Sequence, residues 1–393
     1  MEAGYGRTVQ DADAVPFSVR RGEALPALTG LRFFAAFHVI LLHFASPLLG
    51  HDSGFMGRIV EKGFVGVGLF FMLSGFVLAY VYEEVRNVSG FWQARFARVY
   101  PTHLFALALY VPFAMATVAH GVAWRTTAAS GIACVLLLQS LYPWFAYYWN
   151  PPSWSLSAEA VFYAVFPWLR PRIQRIRALV PALLATWVVA LLPPFVYLRL
   201  DPDGTHGAFD AMHSHWFDFV HMFPLFRLPD FVFGALLGVA FVRYRRAIDP
   251  RLGPVLAATG VLATLVVLGA TNAIPSIVLL DGLLQPAFGL TLFGLALGGG
   301  PIAWLLGRRP LIALGEASYA LYILQMPVAM YVQSVSRRLV GRDLLDPRVA
   351  VSAVVIMVVA SLIAHKRFEL PVRRAIREHF ARDDVPMVSS RMF

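Results

Sequence analysis

The feature that most constrains this chain is a succession of apolar runs, each long enough to cross a bilayer. A helix needs about 17–25 mostly apolar residues to span the hydrocarbon core. Runs of that kind occupy 28–49, 63–82, 100–119, 178–198, 222–242, 253–272, 282–305, 311–332 and 349–364. A further apolar stretch, 129–169, is broken by Asn150-Pro151-Pro152. Hydrophobic residues make up 58% of the 393 and charged residues only 14%, where a soluble domain carries roughly 25%. A soluble globule of this size cannot hide so much apolar surface, so most of it must face lipid or helices packed within lipid. The expected fold is all-α, a polytopic transmembrane helix bundle.

Charge sets the expected topology. The chain has 33 Lys+Arg against 23 Asp+Glu, a net +10. The basic residues sit in short clusters between apolar runs and form no stripe of the kind that faces nucleic acid, so no nucleic-acid partner is expected. The clusters are Arg86/Arg95/Arg98, Arg170/Arg172/Arg175/Arg177, Arg243/Arg245/Arg246, Arg308/Arg309 and a tail from Lys366. With the N-terminus cytoplasmic, all five fall inside only if 129–169 makes one net crossing. That gives about ten spans, with part of 129–169 re-entrant or half-buried, and a cytoplasmic C-terminus. The loop 334–348 falls outside by parity despite Arg337, Arg338, Arg342 and Arg348.

The chain thus divides into a cytoplasmic segment 1–25, a transmembrane domain 26–365 and a cytoplasmic basic tail 366–393, in which 372–380 reads as a basic interfacial helix. The first run is too long for a signal-peptide core and is taken as a retained span. Arginine is abundant and Lys62 and Lys366 are the only lysines, usage that fits a GC-rich bacterial genome and a bacterial cytoplasmic membrane. The lone Cys134 excludes an intrachain disulfide framework and a cysteine-based metal cluster.

Function is sought where ionisable groups lie too deep, because burying charge in a span costs several kcal/mol or requires a partner. Arg32 and His43 in the first run are eleven positions apart. At 100° per residue they fall within roughly 20° of one face, about 16 Å apart along the axis, and are expected to look into one cavity, Arg32 toward the cytoplasm and His43 deeper or nearer the outside. His38 lies on another face. A histidine so placed can exchange a proton near neutral pH, although a snorkelling Arg32 and a carbonyl-satisfied His43 would look alike in sequence. Glu159 follows the prolines in Asn150-Pro151-Pro152-Ser153-Trp154-Ser155-Leu156-Ser157-Ala158-Glu159. The prolines break one helix, and Ser153 or Ser155 can cap the next. Glu159 then needs a cationic partner, for which His43 and Arg32 are candidates, unless it is an exposed first-turn residue favoured by the helix dipole.

Arg95 and Arg98 share a helical face at a predicted cytoplasmic boundary, the pattern of a phosphate clamp or of ordinary positive-inside charge. The glycines of 63–75 sit in a span with no strand before them, which favours close helix packing over a dinucleotide fingerprint. The loop 199–221 holds Asp201, Asp203, His206, Asp210, His213, His215, Asp218 and His221. It reads as a polar interfacial loop, and no metal site is assigned. No serine sits in a G-x-S-x-G elbow, so a hydrolase triad has no support.

Taken in order, these segments resemble the acyltransferase-3 family of integral-membrane O-acyltransferases. The parts are Arg32/His43 in LTGLRFFAAFHVILLH, FFMLSGF at 70–76, RFARVYP at 95–101, WSLSAEAVFY at 154–163, GEASYALYILQMP at 315–327 and FELPVRR at 368–374. The match covers about 26–375. The resemblance implies about ten spans and transfer of an acyl group, usually acetyl from cytoplasmic acetyl-CoA, with no bound cofactor. The acceptor would be a hydroxyl of a cell-surface or exported carbohydrate or lipid-linked sugar, or in some members a macrolide.

By motif, Arg32 and His43 are the essential pair, Arg95 and Arg98 the basic motif, Glu159 the acidic one and Tyr319 the late tyrosine. Gln325 stands where many relatives have His, and a neutral amide has no acid–base role. The expected chemistry makes His43 the base, with Glu159 fixing its tautomer. Arg32, Arg95 and Arg98 bind the donor, and Trp154, Ser155 and Tyr319 contact substrate. A transporter or flippase would also bury Arg, His and Glu, but the internal symmetry it would show is not visible.

Overall fold

A computed structural model describes residues 24–49, 54–205, 214–270 and 274–381. Among these it is 84% helical, with no strand. The helices are α1 (Pro26–Phe44), α2 (Ser46–Leu49), α3 (Gly54–Glu61), α4 (Val65–Val81), α5 (Val88–Ala119), α6 (Trp124–Val135), α7 (Trp154–Arg175), α8 (Leu179–Leu200) and α9 (His215–Met222). They continue with α10 (Pro224–Tyr244), α11 (Leu252–Gly269), α12 (Ser276–Val278), α13 (Gln285–Leu297), α14 (Gly300–Leu306), α15 (Arg309–Glu316), α16 (Ser318–Val340), α17 (Pro347–Ala364) and α18 (Leu370–Ala381).

Six continuous helical segments among the described residues are long and apolar enough to cross a membrane. Three bent pairs, α3 with α4, α12 with α13 and α15 with α16, raise the number to nine. The sequence leads to about ten. The difference is α7, the net crossing expected within 129–169. It is 22 residues long but carries Glu159, Arg170, Arg172 and Arg175 and is too polar to count by composition. Ahead of it α6 has only 12 residues, too few to cross, and gives way to short 3-10 turns. This irregular backbone is satisfied by buried side chains, as lipid requires. Gln139 Nε2 donates to the Ser153 carbonyl at 2.7 Å, Ser157 Oγ to the Leu137 carbonyl at 2.6 Å and Asn150 Nδ2 to the Ile323 carbonyl at 2.8 Å. Neither Ser153 nor Ser155 caps α7 through its side chain, contrary to expectation; Ser155 Oγ instead bonds back to the Pro152 carbonyl.

At the centre, α4 packs along α10. A Cβ on Gly75 would collide with the Phe231 carbonyl, and one on Gly234 with that of Met72. The glycines of the 63–75 segment therefore serve close packing, as their setting implies. Helices α8, α11 and α17 surround this core with exposed apolar side chains, among them Val188 and Leu192, Leu262 and Val266, Val355 and Val359, the composition of a lipid-facing surface.

A buried polar network ties α9 and α10 to the break between α12 and α13. Arg227 pairs with Asp230 at 2.7 Å and with Asp281, and donates to the Leu280 carbonyl at 3.0 Å. His221 lies 3.2 Å from Asp281, and Gln285 donates to Asp230 at 2.8 Å. His221, read from sequence as a loop residue, is thus core. At the break, Asp281 and Gly282 leave helical geometry, and Gly282 has φ +101. Asp203 accepts from Ser214 Oγ and from the backbone N–H groups of Trp216 and Phe217, which accounts for its place at the start of α9. His206, Asp210 and His213 lie outside the described residues. Of the expected loop 334–348, residues 334–340 instead extend α16 and 347–348 open α17; across the short connection Arg337 faces Asp343 and Arg342 faces Asp346 at 3.0 Å, which offsets part of the positive charge.

Candidate active site

Helices α1, α4, α5, α7 and α16 enclose a cavity of about 160 Å³. Its polar lining includes Arg32, Ser74, Arg95, Arg98, Ser155, Glu159, Tyr163, Ser318, Tyr319 and Tyr322 among apolar residues. Six of the eight residues singled out by sequence as site candidates therefore line one space: Arg32, Arg95, Arg98, Ser155, Glu159 and Tyr319. Trp154 does not. It packs against Phe71 and His221, behind the wall, so its expected contact with substrate is corrected to a packing role.

Arg95 and Arg98 are both 7% exposed and lie inside one 32-residue helix, about 48 Å long. The sequence puts them on one helical face at the boundary of a span beginning near 100; the helix starts earlier, at Val88, because Asn87 caps it, its side chain accepting from Gly90 N at 2.8 Å. The Arg95 guanidinium lies 5.8–5.9 Å from the rings of Tyr82, Phe91 and Tyr163, within cation–π range. Arg98 pairs with Glu369, which His365 also contacts, at 3.1 Å. Arg32 feels the charges of Arg98, Glu159 and Glu369, and its Nε is buried with no hydrogen-bond partner among the described residues. A cavity with converging guanidiniums and orphaned donors is suited to an anion.

Glu159 accepts from Ser74 Oγ at 2.9 Å and from the Tyr163 hydroxyl. It is not hydrogen-bonded to His43, and the expected Glu159–His43 pairing is not what the chain builds. Instead His43 Nδ1 lies 3.0 Å from Gln325 Oε1. Gln325 Nε2 donates to the Tyr322 carbonyl at 2.8 Å, so the amide presents only its oxygen to the ring and Nδ1 must carry the proton. Nε2 of His43 is left with the lone pair and makes no hydrogen bond to a described residue. His38 lies elsewhere, its Nε2 2.6 Å from the Ile59 carbonyl, as the helical spacing requires.

Arg32 and His43 thus share α1 but not one cavity wall. Arg32 lines the cavity, whereas His43 lies three turns along and reaches it through Gln325 and Tyr322. Tyr322, whose hydroxyl is 3.1 Å from Ser155 Oγ, and Glu369 were not singled out from sequence. Tyr322 lies within the GEASYALYILQMP segment and Glu369 within FELPVRR, so both were visible as motif members. No group of three or more His, Cys, Asp or Glu among the described residues is placed to hold a metal.

A polytopic helical membrane protein with a polar, arginine-lined cavity and a histidine beyond it is the class that fold and site define. The chain belongs to the acyltransferase-3 family, whose acyltransferase-domain profile matches residues 25–366, and it is an acyltransferase. It is 29% identical over 385 residues to acyltransferase MdmB of Streptomyces mycarofaciens, covering 90% of this chain and 92% of that one. It is 24% identical over 336 residues to O-acetyltransferase OatA of Staphylococcus aureus, covering 79% of this chain and 51% of OatA. The chain therefore spans about half of OatA. No solved structure is significantly similar to it.

Proposed function

We propose that this acyltransferase moves an acetyl group from cytoplasmic acetyl-CoA to a hydroxyl of a cell-surface or exported carbohydrate, in a bacterial cytoplasmic membrane with both termini on the cytoplasmic side. The observation that carries this reading is the neutral-tautomer arrangement of His43, Nδ1 tied to Gln325 and Nε2 free, three helical turns beyond an arginine-lined cavity. In the reaction, His43 Nε2 takes the proton of the acceptor hydroxyl as that oxygen attacks the thioester carbonyl. The new C–O bond forms, the C–S bond breaks, and the imidazolium returns its proton to the departing thiolate. Gln325 fills the orienting position that a carboxylate holds in a Ser-His-Asp triad, without supplying charge.

Arg32, Arg95 and Arg98 hold the donor, whose phosphates carry the negative charge that these guanidiniums lack. Glu159 keeps Tyr163 and Ser74 in place and balances Arg32, while Ser155, Tyr319 and Tyr322 line the path of the thioester arm. Membranes containing the protein are incubated with acetyl-labelled acetyl-CoA and fractionated. Label in polysaccharide or lipid-linked sugar is the expected result; label confined to free acetate contradicts it.

One observation favours a second acceptor class. A groove of about 330 Å³ between α5 and α7, lined by Trp92, Phe96, Tyr100 and Ala164, shares Arg95, Leu156 and Tyr163 with the cavity. An apolar small molecule such as a macrolide would enter there and meet Glu159 before His43. Label in a small molecule, with transfer surviving loss of His43, is the signature of that route.

A further inference from the structure

Helix α18 lies outside the catalytic arrangement described above, yet it packs on the helix that carries Arg95 and Arg98. The chain reaches it through a π-helical turn, His365–Glu369, where the sequence marks off a separate tail. Two contacts of that turn hold the start of α18 on α5: the Phe368 ring lies 4.8 Å from that of Phe105, and Glu369 pairs with Arg98. Glu369, Arg373 and Arg377 follow at four-residue spacing, so they share one face.

On that face Arg373 has no ion-pair partner among the described residues. Arg373 is 4% exposed, and its Nε is buried with no hydrogen-bond partner among the described residues. Arg98, Arg377 and Arg95 all act on it with like charge. Glu369, the carboxylate beside it, is already engaged by Arg98 and His365. Arg98 keeps a further buried nitrogen, Nη2, without a partner. A buried guanidinium among like charges is costly unless an anion joins it, and several converging guanidiniums match an anion with several phosphate groups.

We propose that α18 is the far wall of the donor's phosphate site. Arg373 and Arg377 hold phosphates of the nucleotide half of CoA, and Arg98 holds the phosphate nearest the pantetheine arm. The site thereby selects CoA thioesters over thioesters of the bare pantetheine arm. This rests on the acyl-CoA reading above.

The test compares two donors with the full chain in phosphatidylcholine nanodiscs. Acetyl-CoA carries the phosphates, and S-acetylpantetheine carries the same thioester arm without them. Arg373→Ala and the half-buried Arg377→Ala should each lower kcat/KM for acetyl-CoA about tenfold or more, the scale of a lost charged hydrogen bond. The loss should appear in KM, kcat/KM for S-acetylpantetheine should stay unchanged, and Arg377→Lys should recover part of it. Equal losses with both donors would make α18 a structural brace and overturn the inference, as would acetyl-CoA kinetics untouched in both variants. A loss seen only when phosphatidylglycerol is added to the nanodiscs would assign the site to a lipid headgroup instead. If the unmodified protein uses S-acetylpantetheine but not acetyl-CoA, the donor reading itself fails, and this inference with it.

Discussion

At the scale of single residues, Gln325 sets what His43 can do. A neutral amide can fix the tautomer of His43 but cannot stabilise imidazolium by charge, so its contribution is orientation. Gln325→Ala is expected to lower kcat at least tenfold, a part of the ~10²–10⁴ that a positioned base supplies, while the donor KM stays within about twofold. Steady-state kinetics on purified protein check both numbers, and a rise in donor KM without a fall in kcat would place Gln325 in donor binding instead. Glu159 belongs to the cavity rather than to His43. Glu159→Gln keeps one acceptor oxygen for Ser74 and Tyr163 but removes the charge beside Arg32. Its expected effect is therefore on donor KM more than on the fold, checked by pairing kinetics with a melting curve.

The same residues show what the sequence could and could not reveal. Arg32, Arg95, Arg98 and Glu159 were recognisable because each is an ion within or beside an apolar run, and that anomaly is local. The His43–Gln325 bond joins residues 282 positions apart, and the Arg98–Glu369 pair joins residues 271 apart. No periodicity carries such pairings. Absent them, Glu159 was the natural partner for His43, and Gln325 read only as a departure from a pattern.

At the scale of elements, the bundle is held by close helix contact and by buried ionic groups, among them the Arg227–Asp230–Asp281 network. Gly234→Leu would drive a side chain into the Met72 carbonyl where α4 and α10 meet, with no room to yield. The expected result is loss of folded protein on size exclusion, and a monodisperse, active variant would contradict that packing. Arg227→Leu would leave Asp230 and Asp281 buried without their cation. Breaking a buried pair costs about 3–5 kcal/mol, so a large fall in Tm is expected. The double change Arg227→Leu with Asp281→Asn should recover part of that fall, measured by thermal unfolding in detergent. Elements were legible where composition was uniform, as in α1, α4 and α10. They were misplaced where function put charge inside a helix. The arginines of α5 read as lying at the boundary of a span, and α18 as an interfacial helix of a separate tail.

At the scale of the whole molecule, Arg32 lies at one level of α1 beside Arg95 and Arg98 of α5, and His43, the proposed base, lies three turns further along α1. In the reaction proposed above, that separation would keep a polyanionic donor on one face and an acceptor on the other, with the thioester arm bridging them. The most direct measurement is acetyl transfer by purified, folded His43→Gln protein alongside its affinity for acetyl-CoA. The account predicts donor affinity within about twofold of the unmodified chain and transfer reduced by about 10²-fold or more. Transfer persisting within about tenfold, with the donor still bound, would contradict it.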